Sequence, residues 1–391
     1  PLILQTPRST AFLSSGRDSY GVRRSLESLF RAVAAKQVEP TIICLQEGEM
    51  MEFARRTGVR TLLCPIGTPD NFGSLGSALR NFRFMLEASR TLAAVIRDSG
   101  VDSVIVRQPY QMPLAARATS LAGVRGYWLM PNLISNRYPL RVNALMYDFL
   151  LARYGMTAIA NGAYTRGTLA GFARSAVAHL GIDPAEFDTR TPPAARERYG
   201  FAPSDAVFGV FARLVSSKGQ LVLVRAMARV IRDFPDLRLL LCGGPLDSDY
   251  AAALRSEVHT LGLDGKVVLS GPSDRLADSL PSLYAMCDVI VNASLGAEPF
   301  GLSVIEGMLV GKPLLVHALG GPAETVRNGI DGWHITDPSV AGFERGVRDA
   351  LRDRSSWTDI GARAAEHARA HFTHLHAAER IIAVMRGHTQ R

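Results

Sequence analysis

Two carboxylates eight positions apart, Glu298 and Glu306, bracket a turn and the start of an apolar helical run, Ala297-Glu298-Pro299-Phe300-Gly301-Leu302-Ser303-Val304-Ile305-Glu306-Gly307-Met308. The run follows a β-rich stretch, Val289 to Asn292, so the amides around Phe300, Gly301 and Leu302 are expected to form a helix N-terminus open to a ligand. Such a terminus binds hydroxyl or phosphate oxygens through backbone N–H groups alone. Eight residues make about two helical turns, so Glu306 can face the same cleft as Glu298. Both carboxylates could then accept hydrogen bonds from hydroxyl groups of one ligand. The plainer alternative is an acidic first turn that complements the helix dipole, with Glu306 in solvent.

A second constellation is Phe211-Ala212-Arg213-Leu214-Val215-Ser216-Ser217-Lys218-Gly219, after another β-rich run. On a strand-to-helix loop, Arg213 and Lys218 can neutralise a diphosphate, the guanidinium as a fork and the ammonium as a point charge. A basic pair on a surface loop can equally be solvated. The whole chain has only four lysines, Lys36, Lys218, Lys266 and Lys312, which makes a lysine at this spot informative.

Taken together, the pattern E-P-F-G-L-x-x-I-E, followed by Gly311-Lys312-Pro313 and Gly320-Gly321-Pro322-Ala323-Glu324, resembles the core motif of the family 4 retaining glycosyltransferases, also called glycosyltransferase group 1. The resemblance implies that Glu298 contacts donor-sugar hydroxyls and Glu306 the ribose, and that Arg213 and Lys218 stabilise a departing nucleoside diphosphate. Further matches fall in order between residues 178 and 335. His179 to Asp183 resembles the interdomain strand, Cys242-Gly243-Gly244-Pro245 a glycine turn, Leu269-Ser270-Gly271-Pro272-Ser273 the loop whose backbone reads the base, and Tyr284 to Ser294 the lead-in to the main motif. The implied reaction moves a sugar from a nucleoside-diphosphate sugar to an acceptor hydroxyl with its configuration retained. It needs no metal and no cofactor beyond that co-substrate. No protein nucleophile is demanded, although by analogy Glu298 lies near enough to be considered.

The elements that must position these residues alternate between strand and helix, the pattern of parallel sheets with crossover helices. In the first half, strands are expected near 2–5, 40–45, 60–64, 102–106, 126–130 and 156–160, and helices near 20–37, 75–98, 112–122, 139–153 and 163–173. Turn formers and prolines from Gly181 to Pro193 break the pattern before a short helical Ala194 to Tyr199. It restarts with strands near 207–211, 239–242, 267–269, 289–292 and 313–317. An α/β chain of the GT-B fold follows: a Rossmann-like acceptor domain over 1–180, a Rossmann-like donor domain over 181–370, a cleft between them, and a C-terminal helix within 371–391 that crosses back to the first domain.

The first half departs from the family. Where relatives have a glycine pair after the first strand, this chain has Ser14-Ser15-Gly16-Arg17-Asp18-Ser19-Tyr20-Gly21, so Gly16 is the expected neighbour of the donor phosphates. Many relatives place a histidine beside the donor sugar, yet the first 178 residues contain none. Gln108 or Asn132 could supply a hydrogen bond there, but an amide cannot act as acid or base. Either the histidine is dispensable, with the acceptor proton passing to substrate phosphate, or the activity differs.

Other candidates carry less. Asp247-Ser248-Asp249 has the D-x-D form of metal-dependent GT-A transferases but follows a Gly-Gly-Pro turn, and His367, His371, His374 and His376 lack the cysteine or carboxylate that would complete a zinc site. No metal site is expected. The four cysteines, Cys44, Cys64, Cys242 and Cys287, sit in or beside apolar runs without ligand spacing and are expected to be buried small hydrophobes.

Charge is divided unevenly. The formal net charge is +8 over 391 residues, and residues 1–190 alone carry all of it, with 22 Arg and Lys against 14 Asp and Glu. Between Arg107 and Arg174 eight arginines face one acid, Asp148. An anionic or lipid-linked acceptor, or a membrane surface, would be drawn to such a half. No aromatic-interleaved basic motif points to nucleic acid. Pro1-Leu2-Ile3-Leu4 is expected to start a strand rather than a signal peptide, and no apolar run reaches about 18 residues. A cytoplasmic protein is expected, with contact at the inner face of a membrane open. Two other readings stay open beside the transferase: a sugar-nucleotide 2-epimerase of the same fold, and a non-catalytic nucleotide-sugar or polyanion-binding protein.

Overall fold

A computed structural model describes residues 7–16, 20–67, 75–134, 141–272 and 277–387. The chain divides into two compact units, Pro1–His179 with His374–Arg391, and Leu180–Thr373.

The first unit is built on a seven-stranded sheet in the order β3-β2-β1-β4-β5-β6-β7, every neighbouring pair parallel. Its strands are β1 (Ser9–Ser14), β2 (Glu39–Cys44), β3 (Arg60–Leu63), β4 (Ser103–Val106), β5 (Arg125–Met130), β6 (Thr157–Ala160) and β7 (Ser175–Val177). Between them run α1 (Tyr20–Ala35), α2 (Glu49–Thr57), α3 (Leu75–Ser99), α4 (Met112–Ala122), α5 (Val142–Tyr154) and α6 (Ala163–Gly167). Side chains alternate across a strand, so Ala11 and Leu13 join one core and Phe12 the other. Both faces are covered, which is why the central strands are mostly apolar. The last helix of the chain, α14 (His374–Met385), closes the Phe12 face: its Ala378, Ile381 and Ile382 pack in one cluster with Leu29, Phe30 and Val33 of α1. Lys36 pairs with Glu379 at 2.5 Å, and the Arg125 guanidinium donates to the Met385 carbonyl at 2.8 Å.

The second unit has a six-stranded parallel sheet in the order β10-β9-β8-β11-β12-β13. The strands are β8 (Ala206–Phe211), β9 (Leu237–Cys242), β10 (Val267–Gly271), β11 (Val289–Asn292), β12 (Leu314–His317) and β13 (Gly332–Ile335). The helices are α7 (Gln220–Val230), α8 (Asp249–Thr260), α9 (Leu280–Met286), α10 (Leu302–Leu309), α11 (Gly321–Thr325), α12 (Val340–Arg352) and α13 (Trp357–His371). Successive strands are added outward from β8 on one side and from β11 on the other. The crevice between the carboxyl ends of β8 and β11 is therefore the switch point at which open α/β sheets bind ligands.

Several elements differ from the sequence expectation. The strand expected near 2–5 lies outside the described residues. The first sheet instead takes Ser9–Ser14 as a central strand, and the hydroxyls of Thr10 and Ser103 bond each other at 2.9 Å in the core, so polar residues fit there. The helix expected over 163–173 stops at Gly167, because the Arg141 guanidinium takes the carbonyls of Gly167, Thr168 and Leu169. The strand that follows is Ser175–Val177, and of the stretch 179–183 only Ile182 makes a bridge, to Thr373. Residues 196–199 form one 3-10 turn rather than an α-helix, with the Arg196 guanidinium bonded to the carbonyls of Met286, Pro203 and Asp205.

Candidate functional site

At the switch point two loops meet. Phe211 ends β8 and leads through Arg213 into a 3-10 turn, Ser216–Lys218; Asn292 ends β11 and leads through Ser294 to Glu298. The Leu295 amide donates to the Ser217 carbonyl at 2.9 Å and holds the loops together. Gly219 has φ +70, and a Cβ there would lie 1.9 Å from the Ala293 carbonyl oxygen. Only a glycine lets the loops come this close.

This approach delivers Lys218 to Glu298. The ammonium donates to Oε2 of Glu298, and the Ser294 hydroxyl donates to the same oxygen at 2.8 Å. With side chains 23% and 15% exposed, the pair is screened from bulk water but can still be reached by a ligand. The backbone of Glu298 is clamped from behind by the loop after β12: its amide donates to the Leu319 carbonyl at 3.1 Å and its carbonyl accepts from the Gly321 amide at 2.8 Å. Side chains at Gly320 or Gly321 would strike Glu298 and Phe300, which explains that glycine pair. Nδ1 of His317, at the end of β12, lies 2.6 Å from the Ser294 carbonyl and fixes the serine in turn.

Beyond Glu298 the chain enters α10 through Gly301, whose φ of +84 suits glycine. The Phe300 ring is buried and meets Phe372 edge to face at 6.2 Å. It anchors the helix start, so any ligand contact from Phe300, Gly301 or Leu302 at this N-terminus falls to backbone N–H groups. A Cβ at Gly307 would come within 2.9 Å of Ile290, so α10 lies tight on β11. Glu306 is held separately from Glu298: the Tyr284 hydroxyl donates to its Oε2 at 2.6 Å. Tyr284 is fully buried and stacks on Phe211 at 3.7 Å, so the residue that ends β8 also orients the clamp on Glu306.

Arg213 is exposed; among the described residues its guanidinium has no hydrogen-bond or ion-pair partner, while its carbonyl accepts from Gln220 Nε2 at 2.8 Å. An anchored backbone under a free cationic head suits an anion that arrives from solvent. Gly271 ends β10 with φ +85, and its carbonyl accepts the Gly243 amide at 2.9 Å. Gly243 in turn passes so near Ala212 that a Cβ would sit 1.9 Å from its oxygen, which ties the glycine turn to the Arg213 loop. Ser273 lies outside the described residues. Gly16 belongs to the first unit, where a Cβ would lie 2.1 Å from the Gln46 oxygen and its carbonyl accepts the Met50 amide at the start of α2. The structure thus gathers Arg213, Lys218, Glu298, Glu306 and Gly271 around the carboxyl edge of one sheet, and sets Gly16 at the corresponding turn of the other.

Sequence reasoning gave no separate role to Tyr284, Ser294 or His317. Each could be found only from the group it touches, not from a motif of its own. The set-aside candidates have ordinary roles: Ser248 caps α8 by accepting the Ala251 amide, and Asp249 sits in that helix's first turn. The rings of His367 and His371 pack edge to face at 4.8 Å, and among the described residues no three His, Cys, Asp or Glu side chains form a metal-holding group. Burial pushes the Cys242 thiol up to about 11, with the nearby Glu306 charge adding to the effect, so it stays protonated.

Residues 193–367 match the family model of glycosyl transferases group 1. The D-inositol 3-phosphate glycosyltransferase of Nocardia farcinica is 31% identical over 206 residues, 52% of this chain and 45% of that protein. The putative glycosyltransferase YtcC of Bacillus subtilis is 31% identical over 193 residues, 48% of this chain and 46% of that one. The chain thus spans about half the length of the curated relatives it matches. Among solved structures, Anabaena Alr3699/HepE in complex with UDP and glucose superposes with a TM-score of 0.78 at 22% identity, over 97% of this chain and 99% of that one, a likeness of fold. The chain therefore has the GT-B fold of two Rossmann-like domains, and the stretch that matches the group 1 glycosyl transferases carries Arg213, Lys218, Glu298 and Glu306.

Proposed function

We propose that the protein is a retaining glycosyltransferase that moves a sugar from a nucleoside-diphosphate sugar to an acceptor hydroxyl without a metal. The observation that carries this reading is the contact of Lys218 with Glu298 at the reversal point of the second sheet. It sets a cation for the leaving diphosphate beside a carboxylate for the sugar.

In the proposed reaction the bond from the anomeric carbon to the β-phosphate oxygen lengthens, and positive charge develops on the sugar as negative charge grows on the diphosphate. Arg213 and Lys218 neutralise the phosphates, helped by the amides at the start of α10, and preorganised charge of this kind commonly contributes more to catalysis than any other single effect. Glu298 accepts hydrogen bonds from sugar hydroxyls. Glu306, oriented by Tyr284, accepts them from the ribose diol, while the backbone at Gly271 meets the base and Gly16 the phosphates. The acceptor oxygen attacks from the face the diphosphate leaves, its proton passes to a departing phosphate oxygen, and the configuration is kept. No protein nucleophile is required. The acceptor is anionic or lipid-linked and is met at the inner face of a membrane from the cytoplasm, a reading supported by the +8 excess in residues 1–190.

The test is a panel of labelled nucleotide sugars, with UDP-sugars first because HepE was solved with UDP, incubated with membrane and soluble acceptor fractions in EDTA. Expected are release of nucleoside diphosphate and a product of unchanged anomeric configuration. An inverted product defeats the retaining assignment, and loss of turnover in EDTA defeats the metal-free one. Donor conversion without acceptor indicates a 2-epimerase. A protein that binds donor but never turns it over is a binding protein.

A further inference from the structure

Helix α5 is apolar on two faces, with Tyr147, Leu150 and Tyr154 also packed against the core. It packs inward through Ala144, Asp148 and Leu151, while Val142, Leu145, Met146 and Phe149 stand 45% to 60% exposed. The outward four recur at i, i+3, i+4 and i+7, one continuous stripe of the helix, and Arg153 extends it by another turn. A surface helix ordinarily turns such a stripe toward the core and its acids outward. Here the one acid is fully buried.

That acid also builds the patch. Oδ2 of Asp148 accepts the amides of Gly171 at 2.6 Å and Phe172 at 3.0 Å, fixing a turn that presents a Phe172 ring 57% exposed beside α5. Arg141 secures the other end by donating to the carbonyls after α6. The aromatic and aliphatic groups are therefore held in place from within rather than loosely displayed.

Charge says what covers them. Of the eight arginines between Arg107 and Arg174, Arg141, Arg153 and Arg174 are exposed among the described residues, while the one acid of the stretch, Asp148, is buried. A second copy of the chain docked through the same face would bring arginines against arginines, a juxtaposition that costs several kcal/mol at an interface. An anionic bilayer accepts both parts, its acyl boundary the apolar stripe and its headgroups the arginines.

We propose that the outward face of α5, with Phe172, Arg153 and Arg174, docks this protein onto an anionic lipid bilayer. The stripe lies in the plane of the headgroups with Phe149 and Phe172 as its deepest points, and the surrounding arginines meet lipid phosphates. No helix among the described residues is long and apolar enough to cross a membrane, so the surface lies on the bilayer instead of spanning it. This deepens the membrane-acceptor reading above and rests on it only for its purpose. Vesicle binding needs no donor, so either can fail alone.

Flotation of the full chain with vesicles tests it, using pure phosphatidylcholine against phosphatidylcholine with about one-third phosphatidylglycerol. The protein is expected to float with the anionic vesicles and to be released as salt rises. The double variant Phe149→Ser/Phe172→Ser is expected to lose at least about tenfold in affinity. Arg153→Gln and Arg174→Gln are each expected to lose about fivefold at low salt. Because the four native cysteines are buried, an environment-sensitive dye on Phe149→Cys reports insertion directly: a blue shift with vesicles is expected there and none with the dye on Asp264→Cys in the second unit. Failure to float at low salt, or a double variant that binds as tightly as the parent, overturns the proposal. So does a dimer that the double variant converts to monomer, since the surface would then belong to a second copy.

Discussion

Lys218 and Glu298, 80 residues apart in the sequence, meet through the ammonium and Oε2, on the oxygen that Ser294 also bonds. Each charge would be costly if left part-buried and alone. Each is also the group that the proposed reaction assigns to one half of the donor: the ammonium to the diphosphate, the carboxylate to the sugar. A donor that engages both exchanges one charged contact for two, so the pair forms one functional unit.

Replacing either member should therefore cost much the same. Lys218→Ala and Glu298→Ala are each expected to lower kcat by roughly 10²- to 10³-fold, the usual range for losing one preorganised group at a developing charge. The double variant should fall well short of the product of the two losses, since residues that act as a unit are not additive. Single-turnover release of nucleoside diphosphate measures this, with thermal melts to show that the variants fold. Losses that multiply would mean the two act independently, and unchanged turnover in both single variants would remove them from the site.

Tyr284 offers a cleaner probe of the nucleoside end. Tyr284→Phe keeps the ring stacked on Phe211 and deletes only the hydroxyl that donates to Glu306. Loss of one such bond is worth about 1 kcal/mol, so calorimetric titration with UDP should show binding weakened about fivefold. Little change in kcat is expected, because the ribose lies away from the bond that breaks. An unaltered Kd would disconnect Glu306 from nucleotide binding.

How far these residues could be seen beforehand depended on how local their signal is. Glu298, Glu306, Arg213 and Lys218 lie in short motifs after strands, where the resemblance to family 4 pointed to them. Tyr284 and His317 act through contacts that depend on packing, Tyr284 through Phe211 and Glu306 and His317 through the Ser294 carbonyl, and neither has a spacing signature. Most of the strands and the first unit's longer helices were visible as apolar runs, but the central strand Ser9–Ser14, half of it Ser and Thr, was not, and the helices Gln220–Val230, Asp249–Thr260, Val340–Arg352 and Trp357–His371 were not placed. The three-residue β7 and the four-residue β13 at the sheet edges, and the short helix Glu49–Thr57, were also missed, since so few residues leave little room for a period to emerge. Asp148 misled in another way: in the sequence it is one acid among arginines, and only its burial shows that it adds no negative charge to the surface around α5.

Gly219 tests whether loop approach matters as much as the side chains it delivers. Gly219→Ala places a methyl against the Ala293 carbonyl, in a backbone conformation, φ +70, that alanine avoids. Relief requires moving the Lys218 loop away from the Glu298 loop. The variant is expected to lose at least about 2 kcal/mol of stability and most of its turnover. Chemical denaturation and initial rates measure the two. Gly262→Ala serves as a control with a similar positive φ but open space around it, so it should cost only the conformational part and leave turnover intact. Equal effects from both would show that the approach of the two loops is unimportant.

His367, near the end of the second unit, contributes to the pH dependence of stability. Burial holds the His367 imidazole below its ordinary 6.5; the Arg327 and His371 charges push the same way, and Asp331 opposes them. The unfolded chain therefore binds a proton on His367 more readily than the folded one. In the window between the depressed folded value and 6.5 the unfolded state holds more protons, so stability rises with pH across that window. The contribution is complete above 6.5 and is lost progressively as the pH falls toward the folded value. Thermal melts between about pH 5 and pH 8 should show a decline on the acid side that His367→Gln makes shallower, because glutamine takes up no proton there. Identical slopes for parent and variant would assign the acid sensitivity to other groups. Since His367 lies on α13 in the second unit, nucleotide binding to that unit should raise the whole melting curve without altering this slope.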